Sequence, residues 1–94
     1  MAKAYVLLTE DVKDPAGMGE YAKLAGKTMG AAKVLAFGPA TETLEGEWHG
    51  NQTVILEFES VEAAKEWYYS EEYQAAAKLR QAAADCNGAI IAGF

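Results

Sequence analysis

The side chains that could carry chemistry are mainly aromatic and acidic, and they fall on predicted helices and strands. Aromatic residues with polar atoms recur at helical spacing, namely Tyr21, Trp67, Tyr68 and Tyr73. Together with Arg80 and Glu45 they match the usual composition of a ligand pocket, in which an apolar wall carries a few convergent polar groups. The alternative interpretation is that these aromatics are core residues, whose hydroxyl and indole groups then require buried partners.

Arg80 and Glu57 are the two charged candidates that the pattern places away from solvent. Arg80 lies seven residues after Tyr73, on the helical stripe predicted to face the sheet. Glu57 alternates with Leu56 and Phe58, so it points to the opposite face of its strand, toward a barrel interior or a dimer interface. A buried charge must be paired or neutral. We expect Arg80 to form an ion pair that ties its helix to the sheet; the alternative is recognition of an anionic group on a ligand.

Neither the single histidine nor the single cysteine belongs to a recognisable catalytic or metal-binding motif. A metal site normally needs three or four ligands and His49 supplies one, although haem ligation by a lone histidine exists. Cys86 follows Asp85 with no histidine nearby in sequence, whereas a reactive thiolate requires an adjacent base or cation. We therefore expect a turn or surface role for His49, a packing role for Cys86, and neither a metal nor an organic cofactor.

Two further candidates stand where regular elements begin or end. Ser70 has the residue type and position of a helix N-cap, and acidic Glu71 follows it. Trp48 ends a half-polar extended segment, Thr41–Trp48, which is predicted to be an exposed or edge arm. No catalytic residue is assigned, because the chain has no nucleophile motif, acidic dyad or glycine-rich phosphate loop. The candidate ligand-binding residues are therefore Tyr21, Glu45, Trp48, Glu57, Trp67, Tyr68, Ser70, Tyr73 and Arg80.

The elements that would position these residues follow the order β-α-β-β-α-β. The first strand is apolar on both pleat faces, which is typical of a strand buried on both sides. Asp14 and Pro15 suit the N-cap and the first position of the first helix. The apolar stripe of that helix is formed by Met18, Tyr21, Ala22, Ala25 and Met29. The predicted strands are Ala4–Thr9, Lys33–Gly38, Gln52–Glu59 and Ala89–Phe94. The second helix is predicted to start after Ser60, to break at Ser70 and to end near Asp85, before a turn at Asn87–Gly88.

This order predicts a single ferredoxin-like α+β domain over residues 1–94, with an antiparallel sheet and both helices on one face. The other sheet face would then be open. The first and last strands, expected at the centre of the sheet, are apolar on both sides, so this open face is predicted to be apolar. A second copy of the chain is the simplest cover for such a face, and the sequence therefore predicts a homodimer.

Composition limits the expected partners and location. The chain has 94 residues, of which 51% are hydrophobic, and a formal net charge of −6. An acidic surface repels phosphate backbones and anionic lipids, so we expect no nucleic acid and no membrane partner. The N-terminal apolar run is too short for a signal peptide or a membrane span, and one cysteine forms no internal disulfide. These features predict a cytoplasmic protein.

Several stretches of the sequence resemble a known family. They are Leu44–Trp48, Val54–Phe58 and Ser60–Tyr73, followed by Leu79–Arg80 and Ala82–Asp85. Together they resemble the bacterial domain-of-unknown-function family thirteen-thirty, of the dimeric α/β-barrel superfamily, over nearly the whole chain. The resemblance implies two ferredoxin-like subunits packed sheet to sheet into a barrel with the helices outside, and it implies no activity. One departure is Glu71, where the family often has proline, and glutamate also suits this position.

Three functional classes remain open on the sequence. The first is an enzyme without metal or organic cofactor, using tyrosine, glutamate and arginine side chains for acid–base chemistry and anion binding. The second is a non-catalytic dimer that binds a small aromatic or acidic metabolite. The third is a purely structural or stress-related dimer. Relatives across the superfamily include cofactor-free monooxygenases, haem-degrading enzymes and lactone isomerases, which is an analogy of fold only. We favour a homodimer with a small-molecule pocket, which covers the first two classes.

Overall fold

A computed structural model describes residues 2–94 and shows the element order that the sequence predicts. The elements are β1 (Ala4–Val12), α1 (Pro15–Gly26), a 3-10 turn (Met29–Ala31), β2 (Lys33–Gly38), β3 (Gln52–Phe58), α2 (Val61–Tyr68), α3 (Glu71–Ala83) and β4 (Ala84–Ala92). The predicted break in the last helical region is confirmed as the boundary between α2 and α3. The predicted ferredoxin-like α+β fold is thereby confirmed.

The four strands form one antiparallel sheet in the order β2-β3-β1-β4. Val6 in β1 lies opposite Leu56 in β3 on one side and Ile90 in β4 on the other. The inner strands are therefore β1 and β3. The expectation that the last strand is central is wrong, because among the described strands β4 pairs with β1 alone and forms an edge of the sheet.

The hydrophobic core lies between the sheet and the helices. The even-numbered residues Ala4, Val6 and Leu8 of β1 are at most 2% exposed, and Leu56 and Phe58 of β3 are likewise buried. The helices contribute the other side chains of this core, among them Tyr21, Ala25, Ala64, Trp67, Tyr73, Ala76 and Ala77. The inward-facing side chains of the strands therefore pack against the apolar stripes of the helices in one layer, as the strand and helix periodicities predict.

Within residues 2–94, no helix covers the opposite face of the sheet, which is apolar at its centre. Tyr5 and Leu7 of β1 point to this face, where Leu7 lies opposite Ile55 and Tyr5 lies opposite Ile91. Ile91 is 49% exposed, while the other three are partly buried by their neighbours. We call these four residues the open-face patch. Its apolar character agrees with the prediction made from the strand composition.

The start of α1 is fixed against the end of α3. The backbone N–H groups of Lys13 and Asp14 both donate to the Ala83 carbonyl at 2.9 Å. A Cβ atom at Gly17 would lie 2.9 Å from the Ala83 Cβ, so glycine permits the close approach of the two helices. Pro15 occupies the first helical position as predicted, whereas the Asp14 side chain makes no capping hydrogen bond.

Serine side chains cap the other two α-helices, as their positions predict. The Ser60 Oγ accepts from the Ala63 N–H, and the Ser70 Oγ accepts from the Tyr73 N–H, each at 3.1 Å. Such caps satisfy N–H groups that have no partner within the helix. The longest described helix, α3, has 13 residues, and no helix within residues 2–94 is long and apolar enough to cross a membrane.

Two strand boundaries differ from the prediction by three residues or more, while β3 ends one residue and β4 two residues earlier than predicted. β1 continues to Val12, and β4 begins at Ala84, directly after α3, instead of at Ala89. The predicted turn at Asn87–Gly88 is wrong, because both residues pair with β1. A Cβ atom at Gly88 would lie 2.8 Å from the Leu8 side chain, so this glycine serves a close approach inside the strand.

The segment between β2 and β3, residues 39–51, forms neither helix nor strand. The predicted extended arm Thr41–Trp48 is exposed, and it does not pair with the sheet. The end of the segment is tied to β1: the Asn51 N–H donates to the Glu10 carbonyl at 2.9 Å. Gly50 has a φ of +83°, and a Cβ atom there would collide with the same carbonyl, so this tight turn requires glycine.

Candidate functional site

A buried carboxyl group, Glu10, lies on the helix-covered face of the sheet. It continues the inward alternation of β1 by one step beyond Leu8, and it is 1% exposed. The Gln52 Nε2 donates to the Glu10 Oε1 at 2.6 Å, whereas Oε2 has no hydrogen-bond partner within residues 2–94. Buried polar atoms without a partner are costly and rare. Oε2 is therefore a buried oxygen whose hydrogen-bonding capacity is unmet within residues 2–94.

A cavity of about 330 Å³ lies between α1 and strands β2 and β3, with Glu10 in its wall. We call it the α1 cavity. Among the described residues that line it, Glu10 is the only charged side chain, and Tyr21 and Gln52 are the only other polar ones. Its apolar wall includes Met18, Ala25, Met29, Phe37, Val54 and Leu56. This size and lining fit a small, mostly apolar molecule oriented by one or two polar contacts.

Two tyrosine hydroxyls meet beside this cavity. The Tyr21 and Tyr73 hydroxyl oxygens are 2.8 Å apart, and the two rings stand nearly perpendicular with centroids 6.2 Å apart. Burial raises the pKa of Tyr21 well above its usual range. Burial also raises the pKa of Tyr73, against the lowering effects of the Tyr21 hydrogen bond and of Arg80. Both phenols therefore stay protonated, and each can donate or accept.

Arg80 is buried on α3, as predicted, but it lacks the predicted acidic partner. It is 3% exposed, and its guanidinium carbon lies 5.9 Å from the centroid of the Tyr21 ring. No carboxylate oxygen within residues 2–94 approaches it to 4.0 Å, so the expected ion pair is absent. Its Nε likewise has no hydrogen-bond partner among the described residues. The reason is positional: Glu57, the strand carboxylate considered earlier, points to the other face of the sheet.

A second cavity, of about 290 Å³, lies between α3 and β4, and Arg80 lines it. We call it the α3–β4 cavity. Tyr68, Cys86 and Ile90 also line it, so it contains two of the candidate ligand-binding residues, Tyr68 and Arg80. Burial raises the pKa of the Cys86 thiol, with Arg80 opposing this effect, and the thiol lies 3.8 Å from the Arg80 carbonyl oxygen. A neutral, partly buried thiol agrees with the packing role predicted for this cysteine.

Trp67 and Ser70 serve the packing of the helices. The Trp67 ring lies against Tyr73 with centroids 4.0 Å apart, and its Nε1 donates to the Thr28 Oγ1 at 3.1 Å. The Ser70 hydroxyl donates to the Trp67 carbonyl at 2.8 Å in addition to capping α3. These contacts give the indole and hydroxyl groups the buried partners that the core interpretation requires. Both residues also line a groove beside the 3-10 turn.

Three other candidates lie away from both cavities. Glu57 is on the open face, where its Oε1 is 3.5 Å from the Lys3 ammonium. Trp48 is 47% exposed, and its Nε1 donates to the Thr53 Oγ1 at 2.8 Å. Glu45 lies in the exposed segment before Trp48. Glu57 therefore lies on the opposite side of the sheet from the buried candidates Tyr21, Tyr73 and Arg80.

His49 has more contacts than the predicted turn role implies. Its Nδ1 is 2.6 Å from the Thr9 Oγ1, and its Nε2 is 3.6 Å from the Asp85 carboxylate. These contacts join the loop before β3 to β1 and β4 on the open face. Across residues 2–94, no group of three or more His, Cys, Asp and Glu side chains is arranged to hold a metal ion.

The fold defined by this sheet and these helices is that of the ferredoxin-like proteins. The chain belongs to the family described as "Domain of unknown function (DUF1330)", whose sequence profile matches residues 3–94. The family resemblance that the sequence stretches indicated is thereby confirmed. No curated protein matches the sequence.

Solved structures with the same fold are similar to almost the whole chain. A protein of unknown function from Rhodopseudomonas palustris superposes with a TM-score of 0.79 at 22% identity, over 99% of this chain and 83% of that chain. A dimeric ferredoxin-like protein of unknown function from Thermobifida fusca has a TM-score of 0.66 at 13% identity, over 97% and 91% of the two chains. SnoaB, a cofactor-independent oxygenase from Streptomyces nogalater, has a TM-score of 0.70 at 8% identity, over 100% and 95%. At these identities the likeness shows the fold alone.

Proposed function

We propose that this chain forms a homodimer in which each subunit binds a small, largely apolar molecule in the α1 cavity through a hydrogen bond to Glu10. The observation that carries the proposal is the Glu10 Oε2, which is buried at the wall of an apolar cavity without a partner among residues 2–94. One buried acceptor in an apolar wall favours a ligand with one donor, such as a phenol or an N–H group, on an apolar frame. A ligand without that donor would leave the acceptor unsatisfied.

The homodimer follows from the open-face patch. Tyr5, Leu7, Ile55 and Ile91 form a contiguous apolar surface, and such surfaces on folded chains commonly mark contacts with other proteins. A second copy placed about a two-fold axis would cover both patches at once. Two solved structures of this fold, from Thermobifida fusca and a Jannaschia species, are described as dimeric ferredoxin-like proteins, which supports the same arrangement here.

A second candidate function is chemistry on the bound molecule without a cofactor. It is favoured by the position of the Tyr21 ring in the same cavity as Glu10, since a carboxylate can accept a proton while a phenol donates a hydrogen bond to developing charge. The description of SnoaB as a cofactor-independent oxygenase is compatible with this candidate, as an analogy of fold. Deuterium uptake from D₂O at an acidic C–H of the bound molecule would distinguish catalysis from binding alone.

Binding of substituted phenols, followed by NMR of the methyl groups in the α1 cavity, tests the proposal. We expect a phenol to shift the Met18 and Met29 methyl signals and its methyl ether to bind far more weakly, because the ether has no donor for Glu10. Glu10→Gln should weaken phenol binding by about tenfold or more, the equivalent of one hydrogen bond to a charged group. Glu20→Gln is the matched control, because the Glu20 side chain is 68% exposed on the same helix that forms the cavity.

Two results would contradict the proposed binding mode. One is equal affinity of the phenol and its ether, since the cavity would then act as an apolar hole without using Glu10. The other is equal weakening by Glu10→Gln and Glu20→Gln, which would assign the effect to net charge and not to the buried carboxyl group.

A further inference from the structure

We propose that the α3–β4 cavity is a second binding site, separate from the α1 cavity, and that it takes a small aromatic or aliphatic carboxylate whose charged group pairs with Arg80. This inference goes beyond the proposed function, because it concerns a different cavity, a different protein group and a ligand of opposite polarity. Two independent observations support it: the cavity itself and a buried arginine whose Nε has no partner among residues 2–94.

Arg80 is a buried cation that no carboxylate of residues 2–94 pairs with directly. Arginine is seldom buried in proteins unless an acid accompanies it. Arg80 is 3% exposed, and within residues 2–94 no carboxylate oxygen comes within 4.0 Å of its guanidinium group. Contact with the Tyr21 ring at 5.9 Å provides some stabilisation of the cation, but it leaves the Nε–H without an acceptor. An anion from outside the chain would supply a directly paired charge and an acceptor for the guanidinium group.

The walls of the α3–β4 cavity suit a bound anion with an apolar body. Among its described lining residues Arg80 is the only charged one, so no carboxylate in the wall competes with a bound anion. Val6, Leu8 and Ile90 supply an aliphatic floor, and the Tyr68 ring lies beside them. Gly88 leaves part of this floor without a side chain. A planar carboxylate matches the fork of N–H donors that a guanidinium presents, and the apolar walls suit a compact hydrocarbon body.

The α3–β4 cavity and the α1 cavity are separate, because they share no described lining residue. Glu10 lines the α1 cavity and Arg80 lines the α3–β4 cavity, and no described residue lines both. Tyr21 lines the α1 cavity, its ring centroid lies 5.9 Å from the Arg80 guanidinium carbon, and its hydroxyl is paired with the fully buried Tyr73. A hydrogen-bond donor ligand and a carboxylate would therefore occupy different cavities.

Titration of the intact protein with benzoate, and in parallel with neutral benzamide, tests this site. The two probes have nearly the same shape and differ in charge. We expect benzoate to shift the side-chain Nε–H signal of Arg80 and the methyl signals of Ile90 in NMR spectra, and benzamide to bind at least about tenfold more weakly, as loss of a charge-assisted pair implies. Arg80→Lys keeps the positive charge and removes the planar fork, so it should also weaken benzoate binding.

Lys78→Gln is the matched control, because it changes net charge on the same helix at an exposed position outside the cavity. The proposal predicts unchanged benzoate binding in this variant. It would be overturned by equal binding of benzoate and benzamide, by benzoate shifts confined to surface lysines or to the α1 cavity, or by the absence of any benzoate binding. Since the two-probe comparison uses the unaltered chain, it decides the question even if Arg80→Lys does not fold.

Discussion

The hydroxyl pair of Tyr21 and Tyr73 leads to a quantitative prediction about stability. The two oxygens are 2.8 Å apart, Tyr73 is fully buried and Tyr21 is 9% exposed. Replacing one tyrosine by phenylalanine removes a buried hydrogen bond and leaves the other hydroxyl without its partner. Such an unsatisfied group costs about 1–3 kcal/mol. We therefore expect Tyr73→Phe and Tyr21→Phe each to lower the free energy of unfolding by that amount.

The double variant should lose much less than the sum of the two single variants. When both partners of a buried hydrogen bond become apolar and keep their shape, the net effect is close to neutral, because no polar group is left unsatisfied. The measurement is a double-mutant cycle by urea denaturation, at one fixed protein concentration because a dimer's stability depends on it. A coupling free energy of about 1 kcal/mol or more is expected.

Strictly additive losses would refute this reasoning. They would show that each hydroxyl has an independent partner, such as a water molecule, and that the two residues do not act as a pair. The result bears on function, because Tyr21 lines the α1 cavity and its ring lies 5.9 Å from the guanidinium carbon of Arg80, which lines the α3–β4 cavity.

Three further predictions concern ionisation, the loop before β3 and the open face. Burial holds the pKa of the Tyr21 and Tyr73 phenols above the ordinary value of about 10. Their contribution to the free energy of unfolding is therefore complete below that pH and is lost as the pH rises through the folded-state pKa values. In a titration followed by tyrosinate absorbance, two of the five tyrosines should not ionise until the protein unfolds. Gly50→Ala should cost at least about 1–3 kcal/mol, because φ is +83° and a Cβ atom there would also collide with the Glu10 carbonyl. Gly19→Ala in α1, where a Cβ meets nothing within 4 Å, should stabilise by about 0.5–1 kcal/mol, and thermal denaturation of both variants compares them. In analytical ultracentrifugation, Ile91→Asp should give a folded monomer, whereas the control Leu44→Asp, in the exposed loop, should remain dimeric. A dimeric Ile91→Asp variant would exclude the open face as the interface.

The element order and the buried layer could be predicted because local signals and periodicity agree. Ser60 and Ser70 mark helix starts, and both act as caps. The alternation of Ala4, Val6 and Leu8 identifies the buried face of β1. Each of these signals lies within a few residues of the structure that it determines, which is why a single sequence carries it.

Glu10 was missed because a polar residue after an apolar run looks like the end of a strand. The signal that identifies it is the alternation itself, which places position 10 on the same face as Leu8 once β1 is known to continue to Val12. That length is set by pairing with β4, a contact between residues far apart in the chain. The start of β4 was missed for the same reason, since its polar residues Asp85 and Asn87 face away from the core at an edge of the sheet.

The ion pair expected for Arg80 failed for a different physical reason. Helical spacing correctly placed Arg80 toward the sheet, where it is 3% exposed. Spacing does not specify which side chains of the sheet lie opposite, and the strand carboxylate Glu57 points to the other face. An unpaired buried charge is unfavourable for a chain alone, and ligand-binding sites are where such local costs are commonly found.

Native mass spectrometry of the protein purified from its own host, in parallel with the Glu10→Gln variant, tests whether a dimer holds a small molecule at Glu10. We expect a dimer that carries one additional small mass per subunit, and a Glu10→Gln dimer from which that mass is absent or much reduced, while Glu20→Gln retains it. A monomer would contradict the proposed assembly. The same mass retained at full occupancy by Glu10→Gln would contradict the assignment of the buried carboxyl group as the group that holds the ligand.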